Sequence, residues 1–287
     1  MSQQMQEIKR RIKSISSTEH ITNAMRLVSS SKLRKAKENF EKTREYFHYV
    51  TDSITEIFEN AEEVPKEYLL GSRPIKTSCY VIITSCGGLC GSYNINVIKE
   101  AVKNIEIAND NTKIVAIGTK GKEFFERRGY DVIKSYLAPV EKITFLETHE
   151  ISKPLLEMYK SGEIDEIVLI YTSYVNTLKQ EVQSLRLLPF DVNSRSRGIV
   201  HKHEVEYEPS LEEVFNYLVP KYFEITLFGA MVEAATCEHA ARRTAMENAT
   251  DSAKEMLDQL SVYYNRARQA TITDEIIEIV AGSEAQK

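Results

Sequence analysis

Two stretches of the chain repeat apolar residues at helical spacing, and the stretch between them does not. From Met5, alternating steps of three and four reach Ile8, Ile12, Ile15, Glu19, Thr22, Arg26, Ser29, Leu33, Ala36, Phe40, Thr43, Phe47, Val50, Ile54 and Ile57. This is a heptad seam, apolar at both ends and polar from Glu19 to Ser29. The polar stretch is expected to meet something other than an ordinary hydrophobic groove. From Ile225 the same stepping reaches Phe228, Val232, Ala235, His239, Arg242, Met246, Ala249, Ala253, Met256, Leu260, Tyr263, Ala267, Ala270, Asp274 and Ile277, with 13 of 16 positions apolar. A heptad period predicts a left-handed supercoil, and its many alanines let two backbones approach closely, so the pair should be slender.

Between Pro220 and Gly282 the only glycine is Gly229 and there is no proline. Nothing there stops a helix of about 60 residues, roughly 90 Å long. A compact globule of this chain length has a radius of gyration of only ~19 Å. The helix is therefore expected to stick out of its own body and to need a partner. Ser210, followed by Leu211, Glu212 and Glu213, reads as the capping box that opens it, and Pro220 predicts a kink a few turns later.

The middle alternates strand and helix signals. Thr77 to Ser85, Lys113 to Gly118 and Glu166 to Tyr174 are short apolar runs with β-branched residues, and residues 94–107, 120–128 and 148–160 carry helical spacing. Gln180 to Phe190 adds a candidate edge strand, and the polar residues 191–208 read as a loop or hairpin. The predicted fold class is α/β: a long antiparallel coiled coil of the N- and C-terminal helices with an inserted three-layer, parallel-sheet α/β domain. The expected boundaries are 1–68 for the first helix, 69–208 for the globular domain and 209–287 for the last helix.

Charge adds a partner to this picture. The formal net charge is -5, yet residues 1–42 carry ten Lys or Arg against four acidic residues. A basic helix on an acidic protein can meet nucleic acid, anionic lipid or an acidic protein. No aromatic residue precedes Phe40, which argues against stacking on nucleic-acid bases. No apolar run is long enough to span a bilayer, and the opening MSQQMQEIKRRIKS lacks the apolar core of a secretory signal. A soluble, intracellular protein is expected, with Cys79, Cys86, Cys90 and Cys237 as reduced thiols rather than a disulfide framework.

Candidate chemistry is thin. Ser85 to Tyr93, SCGGLCGSY, is a glycine-rich turn between a strand and a helix, where α/β folds often hold phosphate, but it matches neither the dinucleotide fingerprint nor the P-loop. KIVAIGTKGK, from Lys113, is a second near miss. Cys86 and Cys90 are separated by three residues, not the two of a zinc turn, and His149-Glu150 lacks a second histidine. His201 and His203 could share one side of a strand, though an exposed pair in a polar loop accounts for them as well. No metal, cofactor or catalytic constellation is read from these residues. A coiled-coil adaptor whose α/β domain binds a phosphate ligand stays open at this point, as does a DNA-binding coil.

Longer motifs point to a family. IKRRIKSISSTEHITNAMRLVSSSKLRKA, from Ile8, resembles the opening helix of the gamma subunit of F-type ATP synthases. EHAARRTAMENAT and YNRARQATITDEIIEIVAGSEA, within Glu238 to Ala285, are similar to that family's C-terminal signature. TSCGGLCGSYN, IGTKGKEFFERRG and YEPSLEEVFNYLVPKYF resemble family landmarks in the right order. The resemblance implies a non-catalytic rotor shaft, peripheral to the cytoplasmic face of the cell membrane. Its partners would be the alpha and beta subunits of a hexamer, the epsilon subunit and the membrane c-ring, with no nucleic acid. It carries over Met25, Lys32, Arg242, Arg266, Arg268, Gln269 and Thr273 as shaft and tip contacts, and Cys86, Gly87 and Cys90 as contacts of the globular turn. The family usually has an acidic and a basic residue where Cys86 and Gly87 stand, so an ion pair made there to beta is absent. No long cysteine-bearing insert like that of photosynthetic members is present, so thiol regulation is not expected.

Overall fold

The computed structural model describes residues 3–60, 65, 68–108, 110–177, 179–190, 208 and 210–284. Nearly all of the polar stretch 191–208, with His201 and His203, lies outside the described residues. The elements are α1 (Gln3–Asn60), β1 (Thr77–Ile83), α2 (Tyr93–Ala108), β2 (Asn111–Ile117), α3 (Thr119–Arg127), β3 (Asp131–Tyr136), a short 3-10 turn (Val140–Lys142), α4 (Phe145–Ser161), β4 (Glu166–Tyr174), β5 (Gln180–Leu188) and α5 (Leu211–Glu284). Close contacts group the chain into two compact units, residues 1–30 with 242–287, and residues 31–241.

In the larger unit the five strands run in the order β3-β2-β1-β4-β5. The first four are parallel, as the continuous apolar runs predict. β5 pairs antiparallel with β4, because the connection from Tyr174 to Gln180 is too short for a crossover helix. β3 carried no clear sequence signal: none of its side chains is fully buried, so its DVIKSY lacks a core stripe.

Alternation along β1 separates two cores. Cys79, Val81 and Ile83 face α4 and α5, joining Ile151, Leu155, Phe215, Val219, Phe223, Leu227 and Met231. Tyr80 and Ile82 face α2 and α3, joining Val97, Ala101 and Phe125. Three layers result, with part of the terminal helix as one wall. Burial of Cys79 in this core pushes its thiol up to about 12, so it stays protonated and unreactive.

Local signals delimit the helices. Thr144 and Glu147 form a capping box at the start of α4, and Gly162 ends it in the left-handed region at φ 77°. The Glu213 N–H donates to Ser210 Oγ at 3.2 Å, and α5 continues as one helix through Pro220. Lys32 and His239 share one partner on the turn at Glu141, while Ala36 to Thr43 line a cavity together with Phe228 to Ala235. Numbers rise along α1 as they fall along α5, so in this unit the two helices pair antiparallel.

In the smaller unit the heptad seam of α1 holds at every step: Met5, Thr22 and Ser29 are buried, and Ile8, Ile12, Ile15, Glu19 and Arg26 are half-buried. Its polar stretch meets another polar group. Thr250 Oγ1 lies 2.8 Å from Thr22 Oγ1 and 2.7 Å from the Met246 carbonyl, and the Thr22 hydroxyl donates to the Glu19 carbonyl at 3.0 Å. A satisfied hydroxyl pair in a seam fixes register at little cost, since it cannot be matched by an apolar neighbour one turn away.

The α5 seam differs in phase from the predicted one. Met246, Ala253, Leu260 and Ala267 face inward as expected, but the positions between them are Thr250, Leu257, Tyr264 and Thr271. Met256 and Tyr263 are 52% and 57% exposed. Steps of three-then-four and four-then-three share every second position, and composition favoured neither. Replacing Leu257 with alanine is expected to lower the unfolding free energy of the full chain by about 1–2 kcal/mol, with Met256→Ala within about 0.5 kcal/mol of wild type. Urea denaturation followed by circular dichroism checks the order; equal effects would contradict the phase.

Candidate functional site

The glycine-rich turn after β1 is filled by its own side chains. The Ser85 N–H donates to Asn94 Oδ1 at 2.9 Å, and Asn94 Nδ2 donates to Ser85 Oγ at 2.7 Å and to Cys90 Sγ at 3.2 Å. Cys90 is buried with Tyr93 and Cys237, so the turn docks on α5. Cys86 is half-buried, with its sulfur 3.3 and 3.4 Å from the Leu137 and Ala138 carbonyls, while Gly87 is exposed. Leu89 sits at φ 60°, the one positive-φ non-glycine among the described residues, with its side chain exposed.

The second glycine motif serves packing too. A Cβ on Gly118 would lie 2.1 Å from the Thr84 carbonyl oxygen, and one on Gly121 would lie 2.9 Å from Thr84 Oγ1. The Gly121 N–H donates to that hydroxyl at 2.8 Å, and the Lys120 N–H donates to the Ser85 carbonyl at 3.1 Å. The two turns at the strand ends are thus laced to each other, with the amides of Ser85, Lys120 and Gly121 already engaged. Among the described residues no group of three or more His, Cys, Asp or Glu side chains is placed to hold a metal ion.

One closely held charge in the larger unit is one that sequence reading missed. Glu141, on the 3-10 turn, accepts from Lys32 Nζ of α1 at 2.6 Å and lies 3.0 Å from His239 Nε2 of α5. The hydrogen bond from His239, opposed by burial and helped by the Lys32 ammonium, holds the Glu141 carboxyl down at about 2. His239 is 2% exposed, and its Nδ1 has no hydrogen-bond partner among the described residues. A histidine in an alanine-rich seam was a visible signal, but nothing in PVEKIT around Glu141 marked its partner. A second carboxylate, the buried Glu224 of α5, is held similarly by His149 Nδ1 at 2.6 Å and Lys221 Nζ at 3.0 Å.

The remaining shaft candidates are spread along the helices. Met25 and Arg242 are half-buried, and Arg266, Arg268, Gln269 and Thr273 are exposed. The Thr273 hydroxyl donates to the Gln269 carbonyl at 2.9 Å. Four of them are thus exposed, whereas Lys32 is turned toward Glu141. No helix among the described residues is long and apolar enough to cross a membrane.

A three-layer α/β domain inserted between two long helices that pair with each other defines a coiled-coil protein with a globular insert. A family model described as ATP synthase matches residues 4–286. The chain is 45% identical over 287 residues to the ATP synthase gamma chain of Alkaliphilus metalliredigens, covering 99% of each. It is 39% identical to the sodium ion specific gamma chain of Acetobacterium woodii, again over 99% of each. Among solved structures it is similar to a chain of the central stalk and c-ring of Tetrahymena thermophila mitochondrial ATP synthase, with 25% identity and a TM-score of 0.59, covering 80% of this chain and 99% of that one. The chain belongs to the ATP synthase gamma-chain family.

Glu141 also makes stability depend on pH. Its carboxyl is depressed from 4.5 to about 2 on folding, so its contribution is complete above pH 4.5 and is lost as pH falls toward about 2. Glu141→Gln is expected to cost about 1–3 kcal/mol of unfolding free energy at neutral pH. That difference from wild type should shrink below pH 4.5 and vanish near pH 2. Denaturation curves at stepped pH check it, and a difference that grows in acid would contradict the assignment.

Proposed function

We propose that the chain is the central rotor shaft of an F-type ATP synthase, coupling ion-driven rotation of the c-ring to ATP synthesis or hydrolysis on the alpha/beta hexamer. The observation that carries this reading is the full-length likeness to gamma chains, 45% identical over 99% of both chains. On this reading the chain has no active site of its own and works at the cytoplasmic face of the membrane, held there through the c-ring and epsilon. Residues 1–68 and 209–287 act as the shaft and 69–208 as the head. Rotation of an asymmetric rigid element forces the catalytic sites of its partners through different conformations in turn.

The shaft and tip contacts we assign are Met25, Lys32, Arg242, Arg266, Arg268, Gln269 and Thr273. Exposure of Arg266, Arg268 and Gln269 supports this, since guanidinium and amide groups in water can form directional hydrogen bonds to carboxylates and carbonyls of a surrounding partner. Cys86 and Gly87 are secondary contacts on the exposed side of the turn. Cys90 acts from beneath it, as a buried support.

Two outcomes test the reading. Adding the chain to isolated alpha and beta subunits is expected to yield a stable complex that hydrolyses ATP, measured by size-exclusion chromatography and phosphate release; assembly no better than without the chain overturns it. Arg268→Ala with Gln269→Ala is expected to weaken ATP-driven ion pumping while circular dichroism and the thermal midpoint stay at wild-type values. Unchanged pumping would remove those two residues from the contact set.

A further inference from the structure

We infer that Glu141 is a positioning residue for rotary coupling: it clamps both shaft helices to the head by holding Lys32 of α1 and His239 of α5 on one carboxylate. The inference rests on the rotor reading, because a clamp between shaft and head matters only if torque passes from one to the other.

Three observations carry it. The contact joins segments far apart in sequence, residues 32, 141 and 239, at the level where the 3-10 turn meets both helices. Among the described residues α1 in this unit also makes apolar contacts, such as the edge-to-face packing of Phe40 on Tyr174 and the seating of Val50 against the core. Apolar contacts resist separation but are non-directional, so they resist sliding weakly. A charge-assisted hydrogen bond has a preferred length and angle and opposes sliding in every direction.

The third observation is that His239 is a poor choice for packing alone. A buried imidazole whose Nδ1 finds no partner among the described residues is less favourable at that seam position than an aliphatic side chain. What it gains is the bond to Glu141, to which its Nε2–H donates. Lys32 supplies the outer jaw of the clamp, with its side chain still 52% exposed and open to a partner as well. Glu141 is 23% exposed and both groups it holds belong to this chain, so its replacement acts first on the clamp.

The test uses the full chain assembled with its partner subunits in membrane vesicles, with every reading normalised to assembled complex. Glu141→Gln keeps the shape and removes the charge. ATP hydrolysis is expected to stay within about twofold of wild type while ions pumped per ATP fall about tenfold, the factor that loss of one charge-assisted hydrogen bond places on the gripped state. Single-molecule rotation should show a wider spread of dwell angles for a bead fixed to the head. Glu141→Asp, which retains the charge, should restore part of both. A merely structural role would lower the yield of complex without moving either reading, and that result overturns the inference while leaving the rotor assignment intact. Failure of the wild-type chain to form a hydrolysing complex overturns the rotor assignment itself.

Discussion

One helix with two partners is the constraint on which the larger unit depends. Between Phe215 and Ala240, α5 is buried on most of its circumference. One side closes the sheet with Phe215, Val219, Phe223, Leu227 and Met231, and another, with Phe228, Val232 and Ala235, meets Ala36, Asn39 and Thr43 of α1. A helix apolar all round must be enclosed, so α1 and the sheet are both required for this segment to fold. Small residues at Ala230, Ala234 and Ala235 let both neighbours come close. Beyond Arg242 the requirement relaxes to a single stripe, Met246, Thr250, Ala253, Leu257 and onward, as befits a helix with one mate within its unit.

Enclosure by apolar contact leaves the problem of register, and polar groups address it. Thr22 against Thr250 sets it in the smaller unit, and Glu141 between Lys32 and His239 sets it in the larger one. Glu224, held by His149 and Lys221, ties α4 to α5 in the same manner. Each is a buried or half-buried polar group with specific partners, where a slip by one turn would strand a charge or a hydroxyl away from water. For a member of the gamma-chain family this division of labour suits a part that must stay rigid under load: dispersion and hydrophobic burial hold the layers together, and directed bonds stop them sliding.

The turns at the ends of β1 and β2 show why glycine-rich segments are weak evidence of ligand binding. Gly118 and Gly121 are there because Thr84 occupies the space of a side chain, and the amides of Ser85 and Gly121 are engaged by Asn94 and Thr84. The same residue types in the same strand–turn–helix context serve phosphate in other α/β proteins, with the amides left open. Packing and binding leave one signature in sequence because both need glycine for close approach.

The sequence by itself determined the elements whose signal is local and repeated: both long helices, the seam of α1 from Met5 to Thr43, strands β1, β2 and β4, the α5 start and, through long ordered motifs, the family. Periodicity and capping are properties of neighbours in the chain, so they are legible without a fold. Tertiary structure alone decided what depends on residues brought together from afar. β3 is a strand because β2 offers it an edge, β5 runs antiparallel because its connection is short, and the α5 seam takes Leu257 and Tyr264 rather than Met256 and Tyr263 because of the surface facing it. Glu141 meets Lys32 and His239 across separations of about a hundred residues, and no pattern along a chain encodes a contact whose partners share neither period nor motif.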